Sequence, residues 1–215
     1  MKASATSPLR AHSAVSQDLP SKDARPRPRD AEFDSFFVKV FPGEHYVTDK
    51  SDEMLVTVLG SCVAACVRDS SIGVGGMNHF MLPESQGGQW GGATASLRYG
   101  NFAMEHLINE ILKRGGRRSR LEIKVFGGGR ILNNAATVGD RNAEFVEAYL
   151  KAEGLPIAAR DLLGDHPRRV HYFPSTGKVF VREVRPAESR GLLSSEQQYL
   201  SRLKAQPVEG TVELF

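Results

Sequence analysis

Short apolar runs of β-type composition alternate with two segments of helical period, and this alternation constrains the fold more than any other feature of the chain. The run "FFVKVFPGEHYVT" alternates in the strand manner and marks entry into the domain, and "RRVHYFPSTGKVFVREV" reads as a hairpin turning at Pro174, Ser175, Thr176 and Gly177. In "MLVTVLGSCVAACVRD" a β-rich run meets Gly60 and Ser61. Residues 62–67 are then too short an apolar run for period to separate a strand from a buried helix. "SSIGVGGMNHFMLPES" reads as a turn, a Gly-rich strand and a stop at Pro83, and "QGGQWGGATAS" as a loop, being too rich in Gly for regular structure. The clearest helix lies in "RYGNFAMEHLINEILKRGGRRSR", where Phe102, Leu107, Ile108, Ile111 and Leu112 recur at helical spacing. Gly115 and Gly116 stop it, with Lys113 and Arg114 in its last turn. "VGDRNAEFVEAYLKAEGLP" is a second amphipathic helix, with Asp140 as candidate N-cap and Gly154 as terminator. Strands interleaved with two helices make the class α/β or α+β.

The 215 residues suffice for one globular domain with tails. Residues 1–33, rich in Ser, Ala, Pro and Arg with "DARPRPRD" toward their end, read as a disordered tail. Residues 34–185 form the domain. Residues 186–215 hold a linker, the short helical segment "SSEQQYLSRLKAQ" and a terminal "PVEGTVELF". Residues 1–30 carry six basic and three acidic side chains, so the remainder holds 22 of each and is formally neutral. A neutral body lacks the basic footprint of a nucleic-acid binder. No apolar run approaches the ~20 residues of a membrane span, and the first residues lack a secretory signal's apolar centre. The expectation is a cytoplasmic protein without membrane insertion, whose two cysteines stay thiols.

Cys62 follows Leu59-Gly60-Ser61 directly. A thiol becomes a nucleophile when a nearby His or backbone N–H groups at a turn stabilise its thiolate, and such N–H groups also hold an oxyanion. Taken alone, however, a cysteine is more often core. His79, 17 residues on and in the next predicted strand, reaches the thiol if those strands are neighbours. A lone His is otherwise a structural residue, and His12, His45, His106, His166 and His171 are less suggestive. Cys62 and Cys66 have neither C-x-x-C spacing nor a second pair to complete a metal site, so Cys66 reads as core packing. "FGGGR" lacks the spacing of a phosphate loop. It reads as a strand end where backbone approaches another group, which makes Phe126, Gly127 and Gly128 candidates for contact with a substrate or oxyanion. "KRGGRRSR" reads as a solvated helix end, with docking to an acidic partner as the sharper alternative.

Taken in order, "LGSCVAACVRD", "GGMNHFMLPE", "RYGNFAMEHLINEILKRG", "KVFGGGRIL", "VGDRNAEFVEAYLKAEGLPI" and "TGKVFVREV" resemble the chemoreceptor glutamine deamidase family, CheD, across roughly residues 38–185. The resemblance implies an α/β fold of layered mixed β-sheets flanked by helices, like the catalytic domain of the cytotoxic necrotizing factor toxins. It implies a protein-glutamine glutaminase that converts receptor glutamines to glutamate and ammonia in bacterial chemotaxis, without metal or organic cofactor. Chemotaxis receptors are then the substrate, and a CheC-family phosphatase is a further partner. The family's nucleophile matches Cys62 and its histidine matches His79. Its third member is a Thr shortly before the Cys, in some members six positions upstream, where this chain has Val56. Thr57, five upstream, is the orienter named here, although strand alternation turns a residue one place out of step away from the ring unless a bulge intervenes. Ser61 is a further polar candidate beside the nucleophile. A different class of function, a regulatory module that docks on the phosphatase or receptor with little catalysis, has no evident use for the Cys62–His79 pair.

Overall fold

The computed structural model describes residues 25–83, 90–131 and 138–205. Its elements are β1 (Arg29–Asp30), β2 (Ser35–Lys39), β3 (His45–Thr48), β4 (Glu53–Leu59), β5 (Val63–Asp69), β6 (Val74–Asn78), α1 (Trp90–Lys113), β7 (Leu121–Gly127), α2 (Val138–Ala152), β8 (Ile157–Leu162), β9 (Arg168–Tyr172), β10 (Val179–Glu183) and α3 (Pro186–Ala205). The short run after Gly60 and Ser61 is thus a strand, and its composition shows where it must sit. Val63, Ala65 and Val67 point to one side and Ala64 and Cys66 to the other, and all five are buried. A strand apolar on both faces needs a layer above and below it.

Those layers are present. One mixed sheet has the order β3-β6-β5-β7-β8, with only β7 and β8 parallel. The other has the order β1-β2-β4-β9-β10, with only β2 and β4 parallel. Helices α1 and α2 cover the outer face of the β5 sheet, where Val63, Ala65 and Val67 meet Leu107, Ile111 and Val146. Ala64, Cys66 and Met77 on its inner face meet Leu55, Leu59 and Val170 of the second sheet. The architecture is therefore layered α/β, as expected. Cys66 packs in this inner core, and burial pushes its thiol pKa up.

Four local expectations are corrected. Helix α1 begins at Trp90 and takes in the second half of the expected loop, whose residues 86–89 lie outside the described residues. The buried Ser96 hydroxyl donates to the Pro83 carbonyl at 2.6 Å, a tertiary tie that favours helix where glycine propensity does not. Phe102 is 64% exposed, because the buried stripe runs through Met104, Leu107, Ile108 and Ile111, and five residues correspond to a rotation of about 140° from Leu107. Asp140 lies inside the first turn of α2 and pairs with Arg130 at 2.7 Å instead of capping. In the segment assigned to the tail, β1 pairs with β2, Arg25 bonds Glu44 at 3.0 Å, and Arg27 pairs with the buried Glu53. These residues are held by ion pairs to distant acids, which no local period reveals. Residues 1–24 lie outside the described residues.

Candidate active site

The chain passes from one sheet to the other at Gly60, Ser61 and Cys62, between the end of β4 and the start of β5. All three carbonyls of this crossing are held from behind. Gly129 N–H donates to the Gly60 carbonyl at 2.7 Å, Asn142 Nδ2 to that of Ser61 at 2.8 Å, and Gly128 N–H to that of Cys62 at 2.7 Å. The N–H groups of Ser61 and Cys62, trans to the Gly60 and Ser61 carbonyls, consequently face the other way, and together with Gly60 N–H they point into one small pocket. Here "FGGGR" finds its use. Gly127 has φ +107°, and a Cβ there would stand 2.2 Å from the Cys62 oxygen, so only glycine lets the two backbones meet. This corrects the expectation for residues 126–128. Phe126 is buried in the inner core, and the Gly128 N–H is spent on Cys62, so these residues brace the crossing from behind and do not face the pocket.

His79 follows β6, the neighbour of β5, as the pairing of strands requires. Cys66 stands opposite Met77, and Val63 opposite Phe80 in the same register. Carried through, that register sets His79 opposite Ala64, on the face that also holds Cys62. Thr57 Oγ1 lies 2.7 Å from the Val40 carbonyl and 2.7 Å from His79 Nδ1. The hydroxyl has a single proton, and a carbonyl can only accept it. Thr57 therefore donates to Val40 and accepts from His79 Nδ1–H, which leaves the lone pair on Nε2. Nε2 is buried and has no hydrogen-bond partner among the described residues.

Thr57 reaches the ring without a bulge in β4, whose pairing with β2 and β9 runs in unbroken register. Thr57 is buried with Leu55 and Leu59, whereas Val56 and Val58 turn to the half-buried side. The expected mismatch of faces does not arise, because Cys62 is not on β4. Parity along one strand is reset when the chain crosses between sheets.

The N–H pocket holds a carboxylate. Glu196 of α3 accepts from Gly60 N–H at 2.9 Å (Oε1), from Ser61 N–H at 3.0 Å and the Ser61 hydroxyl at 2.7 Å (both Oε2), and from Cys62 N–H at 3.4 Å (Oε1). Sγ of Cys62, a ring nitrogen of His79 and a Glu196 oxygen all lie within 4.8 Å of one another, and the three residues are buried. These donor types suit a thiophilic cation such as zinc. The carboxylate's lone pairs, however, are already committed to four N–H and O–H donors. Burial foremost, and then the Glu196 charge and hydrogen bond, hold the Cys62 thiol well above its usual pKa. Burial pulls His79 down to about 4, against a smaller upward push from Glu196. Both groups are therefore neutral in this arrangement. Beside them the Tyr99 hydroxyl of α1 hydrogen-bonds the Tyr199 hydroxyl of α3.

A family model described as CheD chemotactic sensory transduction matches residues 81–183. A protein named probable chemoreceptor glutamine deamidase CheD from Rhodopseudomonas palustris (strain BisA53) is 59% identical over 206 residues, covering 96% of each chain. Proteins of the same name from Janthinobacterium sp. (strain Marseille) and Herminiimonas arsenicoxydans are each 52% identical over 188 residues, 86% of this chain and 92% of theirs. The chain belongs to the CheD family. Among solved structures, the Bacillus licheniformis hypothetical protein YfiH is similar at a TM-score of 0.38, with 14% identity over 56% of this chain and 51% of that one.

Of the residues singled out in the sequence, the structure of this CheD-family chain brings Cys62, His79, Thr57 and Ser61 together. Sequence reasoning missed two others. Asn142 is fully buried on α2, accepting from Leu82 N–H at 2.8 Å while it holds Ser61. Its signal was a polar residue on the apolar stripe of Val138, Phe145, Val146 and Tyr149. Glu196 was hidden in a segment set outside the domain. The basic run "KRGGRRSR" is not brought to the site. Arg114, Arg118 and Arg120 pair with Glu110, Glu153 and Asp69, in keeping with a solvated helix end.

Proposed function

We propose that this chain is a chemoreceptor glutamine deamidase, a protein-glutamine glutaminase that hydrolyses side-chain amides of receptor glutamines to glutamate and ammonia. The observation that carries the reading is His79, whose Nδ1 is engaged by Thr57, whose Nε2 is left free, and whose ring lies with Cys62 Sγ beside a pocket of backbone N–H groups. The activity borne in the names of its relatives fits that chemistry.

In this mechanism His79 Nε2 takes the thiol proton as Cys62 Sγ attacks the amide carbon. The oxygen that gains charge sits on the N–H groups of Gly60, Ser61 and Cys62, which are already aimed and need no reorganisation. His79 returns its proton to the leaving nitrogen, and ammonia departs from a thioester. His79 then deprotonates water for attack on the thioester, which frees glutamate and restores the thiol. Thr57 is a positioning residue that keeps Nε2, and not Nδ1, as the base. No step calls for a metal or organic cofactor. No helix among the described residues is long and apolar enough to cross a membrane, in keeping with action on the receptors' cytoplasmic part.

The test is incubation with a receptor cytoplasmic fragment from the same organism, followed by mass spectrometry for a ~1 Da gain at glutamines. The gain is expected with the native chain and absent with Cys62→Ala or His79→Ala. No gain with the native chain refutes the activity, and an equal gain with Cys62→Ala refutes the nucleophile. A CheC-family phosphatase is proposed as a partner from the family resemblance. Titrating one into the same assay is expected to change the rate, and an unchanged rate with no co-elution removes it.

A further inference from the structure

Leu192, Glu196, Tyr199, Leu200 and Leu203 follow one another along α3 at helical spacing, and this stripe faces the body of the protein. Tyr199, Leu200 and Leu203 pack on the inner core, while Ser194, Ser195, Gln197 and Gln198 are exposed. In the middle of the apolar stripe stands an acid that is 0% exposed. A buried carboxylate is costly unless hydrogen bonds replace its water. Glu196 finds its replacement in the donors at which the deamidase reading places the substrate's oxygen. The side chain so held is chemically a hydrolysed glutamine.

We propose that α3 is a tethered competitor of the substrate, which lays Glu196 into the place of the reaction's glutamate product and closes the site until a receptor segment displaces it. The proposal rests on the deamidase reading. Cys62 and His79 are 0% and 1% exposed, and Glu196 of α3 fills the N–H groups beside them, so the oxygen of a glutamine on another protein reaches those donors only when α3 moves. The pocket also suits the competitor better than the unreacted substrate. Gly60 N–H donates to one oxygen and Ser61 N–H to the other. A carboxylate accepts both bonds, whereas an amide would turn its own NH₂ donors toward one of them. Charge reinforces the closed state, since Glu196 helps keep the Cys62 thiol protonated. Nor does α3 seat on a filled core throughout: a cavity of about 410 Å³ lies between its Leu192 and Ser195 and the floor formed by Val40, Thr57 and His79. The helix follows β10 at the end of the sheet, so its departure breaks no strand pairing.

The test uses the full chain with Glu196→Ala and, separately, Leu200→Asp. Alkylation of Cys62 by iodoacetamide is timed by peptide mass, with Cys66 in the inner core as internal reference. Cys62 alkylation is expected to rise at least about tenfold in both variants, the factor for a site open a tenth of the time or less, while Cys66 stays slow. On a receptor fragment, KM is expected to fall with kcat little changed in Leu200→Asp, and a synthetic peptide of residues 186–205 added in trans should slow its alkylation again. A third measurement needs no variant: amides of α3 in the native chain should exchange faster with deuterium when the receptor fragment saturates it. Unchanged Cys62 alkylation in variants of native melting temperature, or unchanged α3 exchange, overturns the proposal. So does lost deamidation without faster alkylation, which would make α3 a part of the working site. Fast alkylation in the variants with no deamidation by any chain supports the closure and refutes the deamidase reading alone.

Discussion

Thr57→Val separates positioning from packing, because it exchanges a hydroxyl for a methyl of nearly the same shape. Thr57 is 4% exposed, and its hydroxyl serves the Val40 carbonyl and His79 Nδ1–H, each at 2.7 Å. Valine fills the same space and takes the hydroxyl from both buried partners, at roughly 1–3 kcal/mol for each that is left unpaired. Partial relief by water or by a shift of the ring makes about 2 kcal/mol a reasonable net loss, or about 4–8 °C in melting temperature for a domain of this size. The effect on catalysis has a separate cause. Without the Thr57 oxygen the proton on Nδ1 keeps only the weaker hold of the Val40 carbonyl, and the tautomer protonated on Nε2, which then gains population, cannot act as the base. The expected loss in kcat/KM is about 10- to 100-fold, short of the 10²–10⁴ attached to a general base as a whole. Deamidation of a receptor fragment, followed by ammonia release across pH, measures it. Thr57→Ser should recover most of the rate. The double variant Val56→Thr/Thr57→Val, with its hydroxyl on the outer side of β4, should recover none. A Thr57→Val chain of native kcat/KM, or rescue by that double variant, would sink the tautomer argument.

Further predictions follow from the same geometry. Asn142→Leu unpairs the Ser61 carbonyl and Leu82 N–H together, so the melting temperature should fall by several degrees and kcat with it; calorimetry beside the deamidation assay checks both, and an active chain of native stability counts against the bracing role. Gly127→Ala forces a Cβ to within 2.2 Å of the Cys62 oxygen at a left-handed φ and should cost at least about 2 kcal/mol, read from the denaturation midpoint. Acid should destabilise the fold through His79. The folded ring titrates near 4 and the unfolded ring near 6.5, so the unfolded chain binds the extra proton in between and stability drops by roughly 3 kcal/mol as pH falls through that window. His79→Gln should flatten this dependence, leaving the smaller share of His171, whose pKa burial lowers in the same direction. Urea midpoints with parallel pH profiles for the two chains would refute it. Glu196→Gln presents the site with its own substrate, and a ~1 Da gain at position 196 that disappears with Cys62→Ala is the expected mass-spectrometric result. No gain in a stably folded variant argues against the carboxylate's standing in the amide's place.

The mix of strands and helices was legible because it rests on local pattern, as the stripe of Leu107, Ile108 and Ile111 marks a helix, whereas the layering came from the family resemblance. The five apolar residues of β5 point to a layer on either side only once that run is known to be a strand, which so short a run does not decide. Cys62 and His79 were legible as a pair because β5 and β6 are consecutive strands joined by a tight turn, the case in which neighbours in sequence become neighbours in space. Thr57 was named although its face looked wrong, since alternation predicts orientation only within a strand and the chain changes sheets between Leu59 and Val63. For residues 126–128 the glycines did mark a close approach, but sequence does not say to what. The group they approach is the backbone of Cys62, not a ligand.

Glu196 was the hardest to read, since its partners lie 134 to 136 residues away. Yet each half of that contact carries a local sign. On α3, a helical period drawn through Leu192, Tyr199, Leu200 and Leu203 passes through an acid, and an acid on a buried stripe obliges the fold to supply donors. At Gly60, Ser61 and Cys62, a crossing between two sheets leaves three N–H groups outside either ladder, and these oblige the fold to supply an acceptor. A reacting amide oxygen meets that demand only during turnover. Between turnovers the buried donors need another acceptor, and in this chain its own C-terminal helix provides one.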